Sequence, residues 1–583
     1  MKQMSFFFLS LLLLVSCAST PPSPENYLIL ASNERPREDR TEAVGTKFAL
    51  STQGSYSTQA ARDVLAEGGN LIDAAVTASF VLSVERPQST GIAGGGFMLY
   101  REASTQKIYA IDFRERAPLK SEERMFLGAD GQPDSKLSQD GILASGVPGM
   151  VAGLSEIHQR FGKLPWERLV KPAIDLAERG FPVYPHLAAA LEARAAALAR
   201  EPAAKNIYLK KDGSPLKAGE ILAQRDLART LREIARKQRD GFYKGPVAQK
   251  FLAYFRQKQG LITEKDFADY EVKWREPVRG RYQGHDIVSM PPPSSGGVHV
   301  IQVLNFVERD ALQTKGFLSA NSIHLAASAL QSAFADRAQY MGDPDFVKVP
   351  VQGLISKDYA GVLRSKVVMD KARSADQVSA GDPLPYESQE TTHFSMIDHE
   401  GNMVASTQTI NGWMGSGLVV PGTGLVLNNE MDDFSAATGA QNLFGAVGGA
   451  ANAVAPKKTP LSSMAPTLVL KDEKPVMALG APGGTRIISC VAQTILNSLE
   501  FRMPLFESVA SVRYHHQWKP DILQLDPPGP APEVLKALEE LGYKVDVKPT
   551  GCFVMAVARE STPEANILRA VADPRDIGTS QAE

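Results

Sequence analysis

The sequence predicts an α+β protein whose strands come from distant parts of the chain. Three observations carry that expectation. Strand-like segments occur at Gly94–Ile111, at Val278–Ser289 and after Thr391; helical patterns fill the stretches between them; and no internal repeat or strong linker interrupts Ala43–Ala570. With 583 residues and 43% hydrophobic content, the chain can bury a large core. Length alone would divide it into about three or four domains. Strands so far apart can instead join one interlocked core.

The elements follow in order. Ala60–Glu67 and Leu71–Val84 read as helices separated by Gly68-Gly69, with Asn70 as N-cap of the second, which stops near Pro87. Gly94–Phe97 opens strands that run through Ile111. Helical patterns follow at Ala152–Phe161, Trp166–Arg179, alanine-rich Leu187–Arg200, Ala223–Gln238 and Val247–Gln257. After the strand region Val278–Ser289 come long helices at Val298–Arg309 and Ser319–Tyr340. Ser374–Glu390 is polar and loop-like, as a segment exposed to cutting must be.

Thr392–Asp398 and Met403–Ile410 alternate in character around the turn residues His399-Glu400-Gly401-Asn402, which predicts a hairpin. Centring the turn on Glu400-Gly401 pairs positions whose numbers sum to about 801. Thr391 then faces Ile410, with Thr409 and Asn411 beside it, at the spacing of about 4.5–5.5 Å between cross-strand Cβ atoms. A slip of one residue would reverse the facing.

At the N-terminus, Lys2 precedes the apolar run Phe6–Val15, too short to span a bilayer and suited to a signal-peptide core. Leu14-Val15-Ser16-Cys17 resembles a bacterial lipobox, so residues 1–16 are expected to be a signal peptide and Cys17 a lipidation site. An ordinary cleaved signal with an incidental cysteine is the other reading. Ala18 and Ser19 follow, without the aspartate of inner-membrane retention, and polar Pro21–Ala43 reads as a tether. The expected location is the periplasm, anchored to a membrane. Cys490 and Cys552 are expected as two free buried thiols, although an oxidising compartment permits a bridge.

A formal net charge of −2, no basic stripe and no phosphate loop give no hint of a nucleic-acid partner or nucleotide cofactor. The nine histidines show no metal-ligand spacing, and His515-His516, beside Tyr514 and Trp518, reads as packing. No metal or cofactor is expected.

The chemistry-bearing residues centre on Thr391. A threonine hydroxyl is a poor nucleophile until a base sits beside it. If the peptide bond after Glu390 is cut, the threonine's own α-amine supplies that base, since such an amine ordinarily titrates at about 7.7–8. An ordinary strand threonine is the plain alternative. Pro482-Gly483-Gly484 precedes the apolar helical segment Ile487–Leu499, where free amides at a helix start would hold an oxyanion, or form only a turn. Ser462-Ser463 offers paired hydroxyls, for binding or for loop hydrogen bonds. Asn428–Asp433 clusters carboxylates that would grip an ammonium group, or form a solvated loop. Arg114, after the strand Lys107–Ile111, would grip a carboxylate bidentately, or join a surface ion pair.

Together and in this order, these pieces resemble the γ-glutamyltranspeptidase family, self-processing N-terminal-nucleophile hydrolases that act on glutathione. The resemblance runs from about Ala60 to near the C-terminus. It includes Gly91–Phe97, Asp112–Arg114, Gly146-Val147-Pro148-Gly149, Met290–Gly297, Thr391-Thr392-His393, Asn428–Asp433, Ser462-Ser463 and Pro482–Gly484. It implies a four-layer αββα sandwich, cut into a large subunit (44–390, after the anchor and tether 17–43) and a small subunit (391–583).

The resemblance also implies roles. Thr391 is the nucleophile and first residue of the small subunit; Thr409 hydrogen-bonds it. The amides of Gly483 and Gly484 form the oxyanion hole. Arg114, Ser462 and Ser463 bind the α-carboxylate of a γ-glutamyl group, and Asn411, Glu430 and Asp433 bind its α-ammonium. Phe444, in the lid-like stretch Ala436–Val454, stands where a tyrosine is common in the family, which keeps a wall and loses a hydroxyl hydrogen bond.

The expected activity is that of a γ-glutamyltransferase and glutathione hydrolase, with glutathione as donor and water, amino acids or dipeptides as acceptors. A glutaryl or cephalosporin acylase is an alternative on the same machinery. A tethered glutathione-binding lipoprotein is an alternative without chemistry.

Overall fold

The computed structural model describes residues 41–383, 394–561 and 566–583. Two seven-stranded antiparallel sheets form its centre. The first runs in the order 42–45, 566–572, 555–561, 474–480, 467–471, 285–289, 278–282. The second runs 579–582, 48–52, 395–398, 403–409, 95–101, 108–112, 273–275. Each sheet takes strands from both sides of Glu390.

Strand alternation builds the layers. Phe48, Leu50, Met98, Tyr100, Met396 and Val404 of the second sheet face one way, into a core shared with the outer helices Ser55–Ala66, Leu71–Glu85 and Met150–Phe161. Their neighbours Ala49, Phe97, Leu99, Ile397, Met403 and Ala405 face the other way, onto Val288, Leu468, Leu479 and Ala556 of the first sheet. Helices Gly296–Val307, Ala320–Tyr340 and Arg486–Leu499 cover the first sheet's outer face. The result is helix, sheet, sheet, helix: the αββα sandwich.

Leu71–Glu85 is buried along its whole length, as a helix apolar on every side must be. Asn70 caps it, accepting from the Asp73 amide while Asp73 accepts from the Asn70 amide. Gln408 donates to the Ser79 carbonyl at 3.0 Å, tying this helix to the strand that leads into the site.

Three expectations need correction. The hairpin pairs Ser395 with Ala405 and Ile397 with Met403, so the numbers sum to 800 and the register is one residue off the expected 801. The loop has three residues between Asp398 and Asn402, with Gly401 at φ +96°, and the Asp398 carboxylate accepts from the Gly401 and Asn402 amides. Glu42 and Ala43 are not tether: they pair with Val571 and Ala570 at the edge of the first sheet. Cys490 and Cys552 are joined as a disulfide where free thiols were expected. The helix Arg486–Leu499 lies over the loop before strand 555–561, bringing the two Cα atoms within 6.6 Å.

Candidate active site

The site forms where glycine-rich backbone lets the ends of several strands approach one another. A Cβ on Gly94 would meet the Thr409 carbonyl at 2.2 Å, and one on Gly95 would meet the Glu115 carboxylate at 2.5 Å. Asn428 fastens these loops: its amide nitrogen donates to the Ala93 and Gly146 carbonyls, and its oxygen accepts from the Gly146 and Glu430 amides. The motif glycines at 91–96 and 146–149 therefore let the backbone pack closely behind the site.

A cavity of about 570 Å³ opens here, and Arg114, Thr409, Asn411, Glu430, Asp433 and Ser463 all contribute to its wall, with Ser462, Gly483 and Gly484. Glu390, Thr391 and Cys17 lie outside the described residues. Nine of the twelve residues expected at the functional sites are thus brought to one cavity.

At its floor Arg114 is clasped by two carboxylates. Its guanidinium lies 2.6 Å from Glu430 and 2.6 Å from Asp433, and Nε donates to the Pro460 carbonyl at 3.2 Å. The Arg114 and Glu430 side chains are each 1% exposed. Burial opposes the guanidinium charge, but Glu430 and then Asp433 outweigh it and hold the Arg114 pKa above the usual arginine value. Burial pushes the Glu430 and Asp433 carboxyls up, with Arg114 pulling each back.

The strand end that carries Arg114 also carries Glu115, fully buried. Among the described residues neither carboxylate oxygen has a hydrogen-bond partner of normal geometry, although Glu115 and Glu430 lie close enough to influence each other's ionisation. Burial, and then the Glu430 charge, push its pKa well above the usual glutamate value.

Thr409 Oγ1 accepts from the Asn411 amide at 2.7 Å, and Asn411, at φ +70°, donates through Nδ2 to the Asn429 carbonyl. The left-handed turn presents the Asn411 side chain to the cavity. Gly483 and Gly484 sit at φ +143° and +57° just before the helix Arg486–Leu499. Among the described residues neither amide N–H has a hydrogen-bond partner. Two unspent donors at a helix start are the arrangement an oxyanion needs.

Phe444 packs directly on this turn: a Cβ on Gly484 would meet its ring at 2.4 Å. The lid is pinned to the clamp. Asn442 donates to Asp433 at 2.8 Å, and the Leu443 amide donates to Asp432 at 2.8 Å. Gln517 donates to the Phe444 and Gly445 carbonyls from behind. His515 and His516 are buried in hydrogen-bonded positions, and burial lowers the pKa of His515 to about 3, in keeping with a packing role.

Sequence reasoning missed Arg337. It lines the cavity, and its Nε donates to Ser295 Oγ at 2.9 Å; Ser295 in turn donates to the Ser462 carbonyl at 2.8 Å. Burial lowers its pKa to about 10, with the Asp433 charge working the other way. The signal was the charged pair Asp336-Arg337, the only charged residues in the buried helix Ala320–Tyr340 apart from a histidine. The segment Met290–Gly297 thus serves as backing for the serine pair.

A four-layer αββα sandwich with a cation–carboxylate clamp and two free amides at one cavity defines an N-terminal-nucleophile hydrolase. The chain belongs to the γ-glutamyltranspeptidase family, whose family profile matches residues 57–582. It is 43% identical over 535 residues to the glutathione hydrolase proenzyme of Escherichia coli K12, covering 91% of both chains. It is 38% identical to the acylase ACY 1 proenzyme of Pseudomonas sp. SE83, over 88% of this chain and 89% of that one. Among solved structures, the cephalosporin acylase from Bacillus halodurans superposes with a TM-score of 0.81 at 25% identity, covering 94% of this chain and 98% of that one.

Proposed function

We propose that this protein is a γ-glutamyltransferase and glutathione hydrolase that matures by cutting itself between Glu390 and Thr391. The observation that carries the reading is the pairing of Arg114 with both Glu430 and Asp433 at the floor of the cavity. A γ-glutamyl donor is a zwitterion whose reacting amide lies several bonds from both charges. Its α-carboxylate takes the Arg114 fork together with the Ser462 and Ser463 hydroxyls. Its α-ammonium takes Glu430, Asp433 and Asn411. Fixing the far end brings the γ-carbonyl to Thr391 in near-attack geometry.

During maturation the Thr391 hydroxyl attacks the Glu390 carbonyl, and water opens the resulting ester. The two subunits stay together because each sheet contains strands of both. In turnover the freed α-amine takes the hydroxyl proton as Thr391 attacks the γ-carbonyl carbon. The oxyanion accepts hydrogen bonds from Gly483 and Gly484, and cysteinylglycine leaves as a protonated amine. Water or an acceptor amine then cleaves the γ-glutamyl ester. General-base help contributes about 10²–10⁴-fold and one oxyanion donor about 10²–10³-fold.

The acylase relative raises a second reading, a glutaryl acylase. Glu430 and Asp433 argue against it, because a glutaryl chain has no ammonium for them. Turnover of γ-glutamyl-anilide against glutaryl-anilide tests the two: faster cleavage of the first supports the transferase, and faster cleavage of the second overturns it. The apolar run Phe6–Val15 and the following Cys17 support export and lipid anchoring of the mature chain; failure of labelled palmitate to enter through Cys17 would remove the anchor.

A further inference from the structure

The cavity has a second end that the donor clamp does not occupy, walled by His186, Trp413 and Phe553. The His186 ring lies 5.5 Å from Trp413 and 6.1 Å from Phe553, close to edge-on against each. Trp413 follows Asn411 by two residues. Phe553 follows Cys552, whose Cα would lie 3.1 Å from a Cβ on Gly483. His186 is therefore bracketed by side chains that emerge from the loop after Thr409 and from the loop packed on the oxyanion turn. Arg114, Glu430 and Asp433 share no hydrogen bond, ion pair or ring contact with these three residues among the described groups.

His186 is backed by a buried carboxylate. Its Nδ1 lies 3.5 Å from Asp576 Oδ1, while Asp576 Oδ2 pairs with Arg86 at 3.2 Å and accepts from Gln53 at 2.8 Å. Arg86 and Asp576 are sealed from solvent, and the His186 side chain is 25% exposed. Burial alone would raise the Asp576 pKa, but Arg86 and then His186 hold its carboxyl below the usual range. A carboxylate on the Nδ1 side keeps the ring proton there and leaves the lone pair on Nε2. Nε2 has no hydrogen-bond partner among the described residues. The long Nδ1 contact is the kind that tightens when substrate binds. A lone pair at a cavity wall accepts an N–H and repels a carboxylate, so the group it fits is an amine.

We propose that His186 is the base that takes a proton from the entering amine during γ-glutamyl transfer, with Trp413 and Phe553 walling the subsite for the rest of the acceptor. The inference rests on the transferase reading above. The acceptor arrives as an ammonium ion, and Nε2 takes one proton to give the free amine and an imidazolium held by Asp576. The amine nitrogen bonds to the ester carbonyl carbon. The carbon–oxygen bond to Thr391 then breaks, and the second nitrogen proton passes through the Thr391 amine to its hydroxyl. His186 returns its proton to water. The aromatic walls favour amino acids or dipeptides with apolar side chains. The charged groups behind the ring are Asp576 and, paired with it, Arg86 at the end of the helix Leu71–Glu85.

The test measures the ratio of transfer to hydrolysis in mature enzyme, with γ-glutamyl-p-nitroanilide as donor and phenylalanylglycine as acceptor. His186→Gln keeps a polar side chain and removes the base; His186→Ala removes both. Each is expected to lower the ratio tenfold or more, in line with the usual contribution of a general base; a smaller fall in His186→Gln overturns the proposal. Both products come from one ester in one preparation, so loss of folded enzyme cancels. If the parent makes no γ-glutamyl product at all, the transferase reading fails instead.

Discussion

Arg114 and Glu430 meet at 2.6 Å at the floor of the cavity, with Asp433 closing the other side of the guanidinium. Each charge that a zwitterionic donor needs is thus already neutralised by the opposite one. In the proposed reading, donor binding would exchange these internal pairs for pairs with the ligand, keeping the site's charge balance in both states. Breaking a buried pair by removing one partner typically costs about 3–5 kcal/mol, because the other charge is stranded.

Asp433→Asn is therefore expected to discriminate between donors by charge. It removes an ion-pair partner of the α-ammonium and keeps the side-chain shape. A charge-assisted bond contributes about 1.5–3 kcal/mol, so KM for γ-glutamyl-anilide should rise about 10–100-fold. For glutaryl-anilide, which has no ammonium, it should change by less than about threefold. Steady-state kinetics with both donors check this.

Arg114→Lys keeps the charge and loses the fork that reaches Glu430 and Asp433 together. The expected result is a fall of at least about tenfold in kcat/KM for γ-glutamyl-anilide. Arg114→Ala should lose more and also lower Tm, since two buried carboxylates lose their cation.

Glu115→Gln should stabilise the protein increasingly as pH rises. Glu115 has a raised pKa in the folded chain, so its proton favours folding fully below the unfolded value of about 4.3 and that contribution is lost as pH rises toward the folded value. Glutamine carries the neutral shape at every pH. The stability advantage of the variant, read from Tm and denaturant unfolding, should be small at pH 4.5 and larger at pH 8, growing by at most about 1.4 kcal/mol per pH unit. Equal advantages at both pH values would contradict a raised Glu115 pKa.

Gly484→Ala should stop turnover for two separable reasons. The position has φ +57°, and the new Cβ would lie 2.4 Å from the Phe444 ring. We expect kcat to fall about 10²–10³-fold, the scale of a lost oxyanion donor. Adding Phe444→Ala removes the clash and leaves the backbone strain, so the double variant should recover part of the loss. No recovery would place the whole effect in the backbone.

Much of this was legible in the chain because local signals and tertiary contacts agreed. The helix Trp166–Arg179 was read to the residue, and Asn70 is the cap that its place before an apolar run predicts. The hairpin was found but its register was not, because Gly401 turns a two-residue loop into a three-residue one. The Cys490–Cys552 bridge joins positions 62 residues apart, a separation that no local pattern encodes. Arg337 and His186 were overlooked for the same reason. Both sit on helices, Arg337 beside Asp336 and His186 near a helix start, and their place in a site shows only in the cavity the fold brings to them.

The most direct check is intact-mass analysis of the purified protein beside a Thr391→Ala variant. We expect the parent to consist of two associated chains, the smaller beginning at Thr391, and the variant to be one uncut, inactive chain. An active parent made of one continuous polypeptide, or a variant cut at the same bond, would contradict a catalyst born from its own cleavage.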